Sequence, residues 1–188
     1  MRRRAFALLI PLLLTTGCGY NQIQTYDEQV NAAKGQIEVA LQRRADLIPN
    51  LVETVKGFAQ QESEVLTNVT QARAGLQQAL QRPGGTDVQE LANANAQLSR
   101  SISVVVEAYP ELRSNENFLR LQDELAGTEN RIAVERRRYN ELVRDYNIAI
   151  RRFPRRIFAS LFGFEPREFF QAAPGAQEVP TVDFGTTQ

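Results

Sequence analysis

The chain has 188 residues, with 22 basic and 22 acidic side chains, one cysteine, and neither histidine nor tryptophan. This length suits one domain with a substantial core. Without histidine, the chain cannot build a histidine-based catalytic triad, and with one cysteine it cannot build an internal disulfide or a Cys/His zinc site. The balanced charge gives no reason to expect a nucleic-acid partner.

The N-terminal residues have the layout of a bacterial lipoprotein leader. Arginines at 2–4 precede an apolar run at 5–14, and Cys18 follows small residues. We predict cleavage before Cys18, with a diacylglycerol on its thiol and an acyl chain on its amino group. The alternative is an uncleaved signal anchor, although the apolar run is shorter than the roughly 20 residues of a membrane-spanning helix.

This processing divides the chain into four parts. The predicted parts are a signal peptide (1–17), a lipidated polar linker (18–25), a helical bundle domain (26–171) and a disordered tail (172–188) rich in Ala, Pro, Gly and Thr. Removing three arginines from 22 basic residues leaves 19 against 22 acidic ones, a mature net charge of −3.

A long stripe with helical spacing follows the linker. Residues recur at alternating steps of three and four, the a/d pattern of a bundle helix, which predicts a first helix from about Tyr26 to Leu80. Pro49 lacks a backbone donor, so we expect a kink or a break there. The stripe comprises Val30, Ala33, Ile37, Ala40, Arg44, Ile48, Leu51, Val55, Phe58, Glu62, Val65, Val69, Ala72, Leu76 and Ala79.

Two more long helices follow. The second has Thr86 or Asp87 as its cap and ends before Pro110, and the third runs from about Ser114 to Pro154. Its stripe comprises Phe118, Leu121, Leu125, Thr128, Ile132, Glu135, Tyr139, Leu142, Tyr146, Ile150 and Phe153. A short amphipathic helix then precedes Gly163, and we expect the apolar side chains of Phe164, Phe169 and Phe170 to dock as a lid.

The predicted fold is all-α. No segment alternates with period two, and the pattern indicates an elongated antiparallel up-and-down bundle of three long helices plus a short C-terminal helix. A break of the first helix near Pro49 would make it a four-helix bundle.

Polar residues concentrate around Pro49, and they allow two interpretations. They could form a partner surface; its members would be Arg43, Arg44, Asp46, Asn50, Glu53 and Lys56. We favour a structural interpretation, in which charged residues on the stripe pair inside the bundle and fix helix register. That polar network would comprise Arg44, Glu62, Glu129 and Glu135.

A Tyr-Asn pair occurs twice on the third helix, at Tyr139-Asn140 and Tyr146-Asn147. The seven-residue spacing places both tyrosines on one stripe, with the asparagines beside them. Such a ladder could recognise a peptide or glycan. The interpretation we favour is structural, with core tyrosines and asparagines that fix register.

Arginines cluster at 136–138, 151–152 and 155–156, and lipid contact is a secondary possibility for them. The first cluster has nearby acidic partners, and the second lies at a helix C-terminus, where arginine suits the helix dipole. Carboxylates do not converge on a helix face, and Gly84-Gly85 lacks the context of a phosphate loop. We therefore predict no catalytic residue, no metal site and no cofactor besides the acyl groups on Cys18.

The stretch at 41–59, LQRRADLIPNLVETVKGFA, resembles the signature of the LemA family of bacterial envelope proteins. Further matches are Tyr109-Pro110-Glu111-Leu112, Tyr139-Asn140, Tyr146-Asn147, Phe153-Pro154 and Gly163-Phe164. The resemblance spans about Tyr20 to Phe170. It implies an extracytoplasmic helical bundle, tethered at its N-terminus and without an assigned enzymatic activity. Relatives typically carry a membrane helix where this chain has its leader.

We therefore expect a lipid-anchored envelope protein that is a non-catalytic scaffold or protein-interaction module. One alternative is an accessory regulator of a membrane protease or of envelope stress and remodelling. Another is a carrier of lipid or peptide in an apolar groove under Phe162, Phe164, Phe169 and Phe170. The expected partners are the membrane, through the anchor, and envelope proteins. Gly19 after the lipidated cysteine favours the periplasmic face of the outer membrane in a Gram-negative host.

Overall fold

The computed structural model describes residues 2–57, 63–82 and 87–171, with side chains from Gly19 onward except that of Ser63. Over this part the chain is helical and has no strand. The helices are α1 (Arg2–Lys56), α2 (Ser63–Leu80), α3 (Val88–Ala108), α4 (Glu116–Arg151) and α5 (Arg155–Phe162), with a 3₁₀ turn at Pro110–Ser114 between α3 and α4. The predicted all-α bundle is confirmed. The predicted tail (172–188) lies outside the described residues.

The first predicted helix is in fact two helices. α1 is unbroken at Pro49 and ends at Lys56, and α2 begins at Ser63. The prediction of one helix to Leu80 is therefore wrong, and so is the location of the break, which lies beyond Lys56. α1 also begins before Tyr26, because the helix already includes Ile23, whose side chain is fully buried.

A side chain from α2 explains why Pro49 does not break α1. Proline has no N–H, so the carbonyl of Ala45, four residues earlier, loses its helical donor. Arg73 Nε of α2 donates to that carbonyl at 2.9 Å. The oxygen is therefore hydrogen-bonded despite the proline, and the two helices are joined at this point.

The predicted stripes form most of the core. All described stripe positions of α1 and α2 are buried except Val65, which is partly buried. Phe58 and Glu62 lie outside the described residues. On the stripe of the third predicted helix, Phe153 is an exception, since it is 83% exposed. α4 ends at Arg151, so Phe153 lies beyond the helix and its spacing no longer decides its direction.

Two polar side chains cap the N-termini of α3 and α4. Asp87 caps α3 and accepts a hydrogen bond from the backbone N–H of Gln89 at 2.9 Å. Asn115 caps α4 and accepts from the N–H of Phe118 at 3.0 Å. These bonds satisfy backbone donors that have no partner within a helix, and they place both helix starts within two residues of the predicted ones.

α1 and α4 form the antiparallel spine of the molecule. α2 and α3 pack against each other and cover the half of the spine that contains Arg44 and Glu129. The other half is covered by α5 and by residues 164–170, which we call the C-terminal segment. Thus a non-helical stretch completes the bundle where the α2–α3 hairpin does not reach. No helix in the described part has the length and apolarity needed to cross a bilayer.

Candidate functional site

The predicted partner surface on α1 separates into an exposed stripe and one buried residue. The five exposed members recur at steps of three or four; they are Arg43, Asp46, Asn50, Glu53 and Lys56. Three of their side chains have short-range partners, since Gln42 donates to Asp46 at 2.7 Å and Lys56 pairs with Glu53 at 2.7 Å. Arg44 points the other way.

Arg44 lies between α1, α3 and α4, and it is only 5% exposed. Its Nη1 donates to Asn95 Oδ1 of α3 at 2.9 Å and pairs with the carboxylate of Glu129 on α4. Burial lowers the pKa of Arg44 to about 10, so the guanidinium is still charged at neutral pH. The Glu129 carboxylate thus balances a buried cation.

Of the remaining members of the predicted polar network, only Glu135 lies in the described part of the chain, and no ion pair joins it to Arg44 there. Glu62 lies outside the described residues. Glu135 is half-buried, and among the described residues its Oε2 atom is buried without a hydrogen-bond partner. Asn95 of α3, which was not among the predicted members of this network, is the second partner of Arg44.

The two Tyr-Asn pairs on α4 bind the C-terminal segment. The phenol of Tyr146 donates to the carbonyl of Glu165 at 3.0 Å, and that of Tyr139 to the carbonyl of Glu168 at 3.1 Å. Every one of these contacts uses a backbone atom of the segment. We call these four side chains the clamp; they are Tyr139, Asn140, Tyr146 and Asn147.

Each asparagine of the clamp makes a pair of hydrogen bonds to one residue. Asn147 accepts from the N–H of Arg167 at 2.9 Å and donates to its carbonyl at 2.9 Å. Asn140 accepts from the N–H of Phe170 at 2.8 Å and donates to its carbonyl at 3.0 Å. The amide side chain thereby replaces the strand neighbour that an extended peptide would have in a sheet.

The two repeats match in length, which explains the spacing. Seven residues of helix advance about 10.5 Å. Three residues of extended chain cover roughly 9 to 10 Å. Partners three residues apart on the segment therefore meet groups seven residues apart on α4. The spacing of the clamp side chains along α4 therefore matches the three-residue spacing of their partners on an extended backbone.

Charged and aromatic contacts hold the segment at two further points. Arg167 pairs with Asp27 of α1, with Nη2 at 2.8 Å and Nε at 3.1 Å from Oδ1. The guanidinium of Arg136 lies 4.7 Å from the ring centroid of Phe170, a cation–π contact. Phe170 itself is buried in the core. The segment is thus joined to both helices of the spine.

The clamp perturbs the ionisation of its groups. Burial raises the pKa of Tyr139, and burial followed by the charge of Asp27 raises that of Tyr146. Burial acts to lower the pKa of Arg167, but its hydrogen bond and ion pair with Asp27 raise that pKa overall. The phenols therefore stay protonated and able to donate, and Arg167 stays charged.

The predicted apolar groove takes a different form. Phe170 is buried and Phe164 packs partly against the core, whereas Phe162 and Phe169 are 57% and 43% exposed. An open cleft of about 540 Å³ lies beside the segment. Its charged lining residues are Asp27, Lys34, Asp87, Glu165, Arg167 and Glu168. These walls do not suit a lipid chain, and the geometry gives the carrier hypothesis no support.

The repeat of Tyr-Asn was visible in the sequence, but its ligand was not. A seven-residue period indicates a shared helix face and says nothing about which distant segment lies on it. The apolar residues after Gly163 predicted that this segment docks, but they did not indicate that α4 receives it. Among the described residues there is no group of three or more acidic or cysteine side chains placed to hold a metal ion.

The fold and the clamp define the class to which the protein belongs. It is an all-helical bundle with a long antiparallel spine and an extended C-terminal segment bound on its last long helix. The family model described as LemA family matches residues 33–184, and the chain belongs to the LemA family.

Curated relatives agree with this assignment. Magnetosome protein MamQ 1 of Paramagnetospirillum magneticum is 26% identical over 93% of this chain and 72% of its own length. Magnetosome protein MamQ of Magnetospirillum gryphiswaldense is 25% identical over the same shares. Protein LemA of Metamycoplasma hominis is 23% identical over 97% of this chain and 84% of its own length.

Proposed function

We propose that this protein is a lipid-anchored, non-catalytic interaction module of the bacterial cell envelope, and that the clamp on α4 is its binding site for extended polypeptide. The observation that carries the proposal is the bound C-terminal segment. Six hydrogen bonds join the clamp to backbone atoms of that segment.

Recognition through backbone atoms favours a general peptide site. Extended peptides bound this way gain affinity from main-chain hydrogen bonds and selectivity from a few side chains. Here the selective contacts are the Arg167–Asp27 ion pair and the buried ring of Phe170. A partner peptide with an arginine and, three residues later, an aromatic residue would satisfy the same groups.

The C-terminal segment of the same chain already occupies this site, so it would compete with such a partner. A short tether gives a bound segment an effective concentration of about a millimolar. A free peptide of equal intrinsic affinity therefore binds only weakly. Interaction through this site depends on weakening or removing the segment.

The leader supports the proposed anchoring and location. Arginines, an apolar run and small residues before Cys18 are the layout of a lipoprotein signal, and LemA family membership supports an envelope location. Gly19 favours the periplasmic face of the outer membrane in a Gram-negative host. The exposed α1 stripe from Arg43 to Lys56 remains a second proposed surface for envelope proteins.

Competition with a synthetic peptide tests the clamp. A fluorescent peptide with the sequence of residues 164–171 is titrated into the full chain and followed by anisotropy. Arg167→Ala in the chain weakens only the resident segment, since the peptide keeps its arginine. We expect the affinity of the peptide to rise up to about fivefold, the range of an exposed ion pair.

The matched controls separate the clamp from general charge effects. Arg144→Ala removes an exposed arginine elsewhere on α4 and should leave the affinity unchanged. The double variant Asn140→Ala/Asn147→Ala in the Arg167→Ala background should abolish binding. Equal binding with and without the two asparagines would overturn the proposed site.

Metabolic labelling with a palmitate analogue tests the anchor. The native chain should incorporate label and the Cys18→Ser variant should not. Equal labelling of both proteins would end the lipoprotein assignment without affecting the peptide experiment.

A further inference from the structure

The end of the molecule that contains α5 exposes a cluster of large apolar side chains. We call it the α5 face, and it comprises Phe153, Ile157, Leu161 and Phe162. Their exposed fractions are 83%, 58%, 74% and 57%, which are high for such residues. Ile157 and Leu161 are four residues apart and lie on one side of α5, Ala159 on the opposite side is buried, and Phe153 lies just before the helix. Apolar residues grouped in this way mark a contact surface.

The stretch of chain that carries this face has charge of one sign. Between Asp145 and Glu165 the sequence holds four arginines and no acidic residue. These are Arg151, Arg152, Arg155 and Arg156. Apolar rings beside arginines form the pattern of a helix that lies in the interface of an anionic membrane. Four arginines in the stretch that carries the face complement the phosphates of an anionic membrane.

The α5 face lies at the end of the molecule where residues 19–22 of α1 are found. Arg155 hydrogen-bonds to Gln22, and the ring of Tyr20 lies 4.9 Å from that of Phe162. Gly19 approaches Phe158 so closely that an added Cβ would lie 3.3 Å from its ring. The exposed face therefore adjoins the part of α1 that follows Cys18 in sequence.

We propose that the α5 face docks on an anionic lipid surface, with Phe153 and Leu161 inserted among the acyl chains and the arginines at the phosphates. This contact does not require an acyl group on Cys18. It orients the bundle on the membrane as a second point of attachment, since two weak membrane contacts together hold a protein more firmly than one.

Tryptophan fluorescence tests this contact in the full chain, which has no native tryptophan. Phe153→Trp reports the α5 face, and Val39→Trp reports an exposed apolar site on α1 that is 63% exposed. With brominated phosphatidylglycerol vesicles, we expect quenching of Trp at 153 at least about threefold greater than at 39, because side chains of such helices lie roughly 5 to 10 Å deep. Vesicles of phosphatidylcholine brominated in the same way should quench tryptophan at position 153 less.

Further variants test the two components separately. Arg152→Gln/Arg156→Gln should reduce quenching at 153 in phosphatidylglycerol at least about threefold. The same measurement in Cys18→Ser should still show the contrast between 153 and 39. Equal quenching at the two positions would overturn the proposal. A concentration-dependent blue shift at 153 without lipid would also overturn it, because it would identify a second copy of the chain as the occupant.

Discussion

Pro49 and Arg73 show how one side chain compensates for a residue that usually interrupts a helix. Removing the Arg73 guanidinium leaves the carbonyl of Ala45 without its donor. We expect Arg73→Ala to lower the free energy of unfolding by about 1 to 2 kcal/mol, measured by urea denaturation.

A double-mutant cycle isolates the cause. In Pro49→Ala the restored N–H can bond to the Ala45 carbonyl, so Arg73→Ala in that background should cost less than about 0.5 kcal/mol. Exposed Arg100 provides the control, since Arg100→Ala should have the same small effect in both backgrounds. Additive effects of Pro49→Ala and Arg73→Ala would contradict this explanation of the unbroken helix.

The two clamp tyrosines predict a loss of stability in alkali. Their folded-state pKa values are raised, chiefly by burial, above the ordinary value of 10.0. Their contribution is therefore complete below about pH 10 and is lost as the pH rises through the folded-state values. The free energy of unfolding should fall more steeply above pH 10 in the native chain than in Tyr139→Phe/Tyr146→Phe. Identical slopes would rule out this linkage.

At the scale of elements, the C-terminal segment is a separable unit held by α4. The N–H groups of Arg167 and Phe170 donate to the two clamp asparagines. We expect Asn140→Ala/Asn147→Ala to speed hydrogen exchange at these two amides by at least about tenfold, because each loses its acceptor. Asn93→Ala, at an exposed site on α3, should not change them. Unchanged exchange in the clamp variant would mean that side-chain packing alone holds the segment.

Helix positions were predictable from apolar spacing, and so were the helix ends near Pro110 and Pro154, but the interruption of the first predicted helix was not. The described positions of the stripe from Val30 to Ala79 are almost all buried, because its period is a local property of the sequence. The break was assigned to Pro49 because a proline's missing donor is also local. Its compensation by Arg73 is a contact between two helices, which spacing along one chain does not reveal.

The candidate site was predictable in the same partial way. Repetition placed Tyr139 and Tyr146 on one face, and this is what the structure shows. The bound segment has no periodic pattern, and its match to α4 depends on two different rises per residue. Only the folded arrangement shows that Asn147 and Arg167 belong together.

For the whole molecule, Arg44 fixes how three helices align. It joins α1 to Asn95 of α3 and Glu129 of α4. Glu129→Gln would leave the buried guanidinium without its counter-charge. We expect a loss of about 1 to 2 kcal/mol by urea denaturation, less than for a fully buried pair because the Glu129 side chain is 43% exposed. The exposed control Glu124→Gln should be neutral, and an equally small effect at Glu129 would contradict the role of Arg44.

The clamp binds mainly through uncharged groups, and this has a consequence for how the protein responds to ionic strength. Phenol and amide hydrogen bonds are not screened by salt, whereas contacts between arginines and lipid phosphates weaken as the Debye length falls from about 10 Å at 0.1 M to 3 Å at 1 M. Concentrated salt should therefore release the α5 face from a membrane and leave the C-terminal segment in place. The α5 face and the C-terminal segment, which are adjacent in sequence, would then respond independently to a rise in ionic strength.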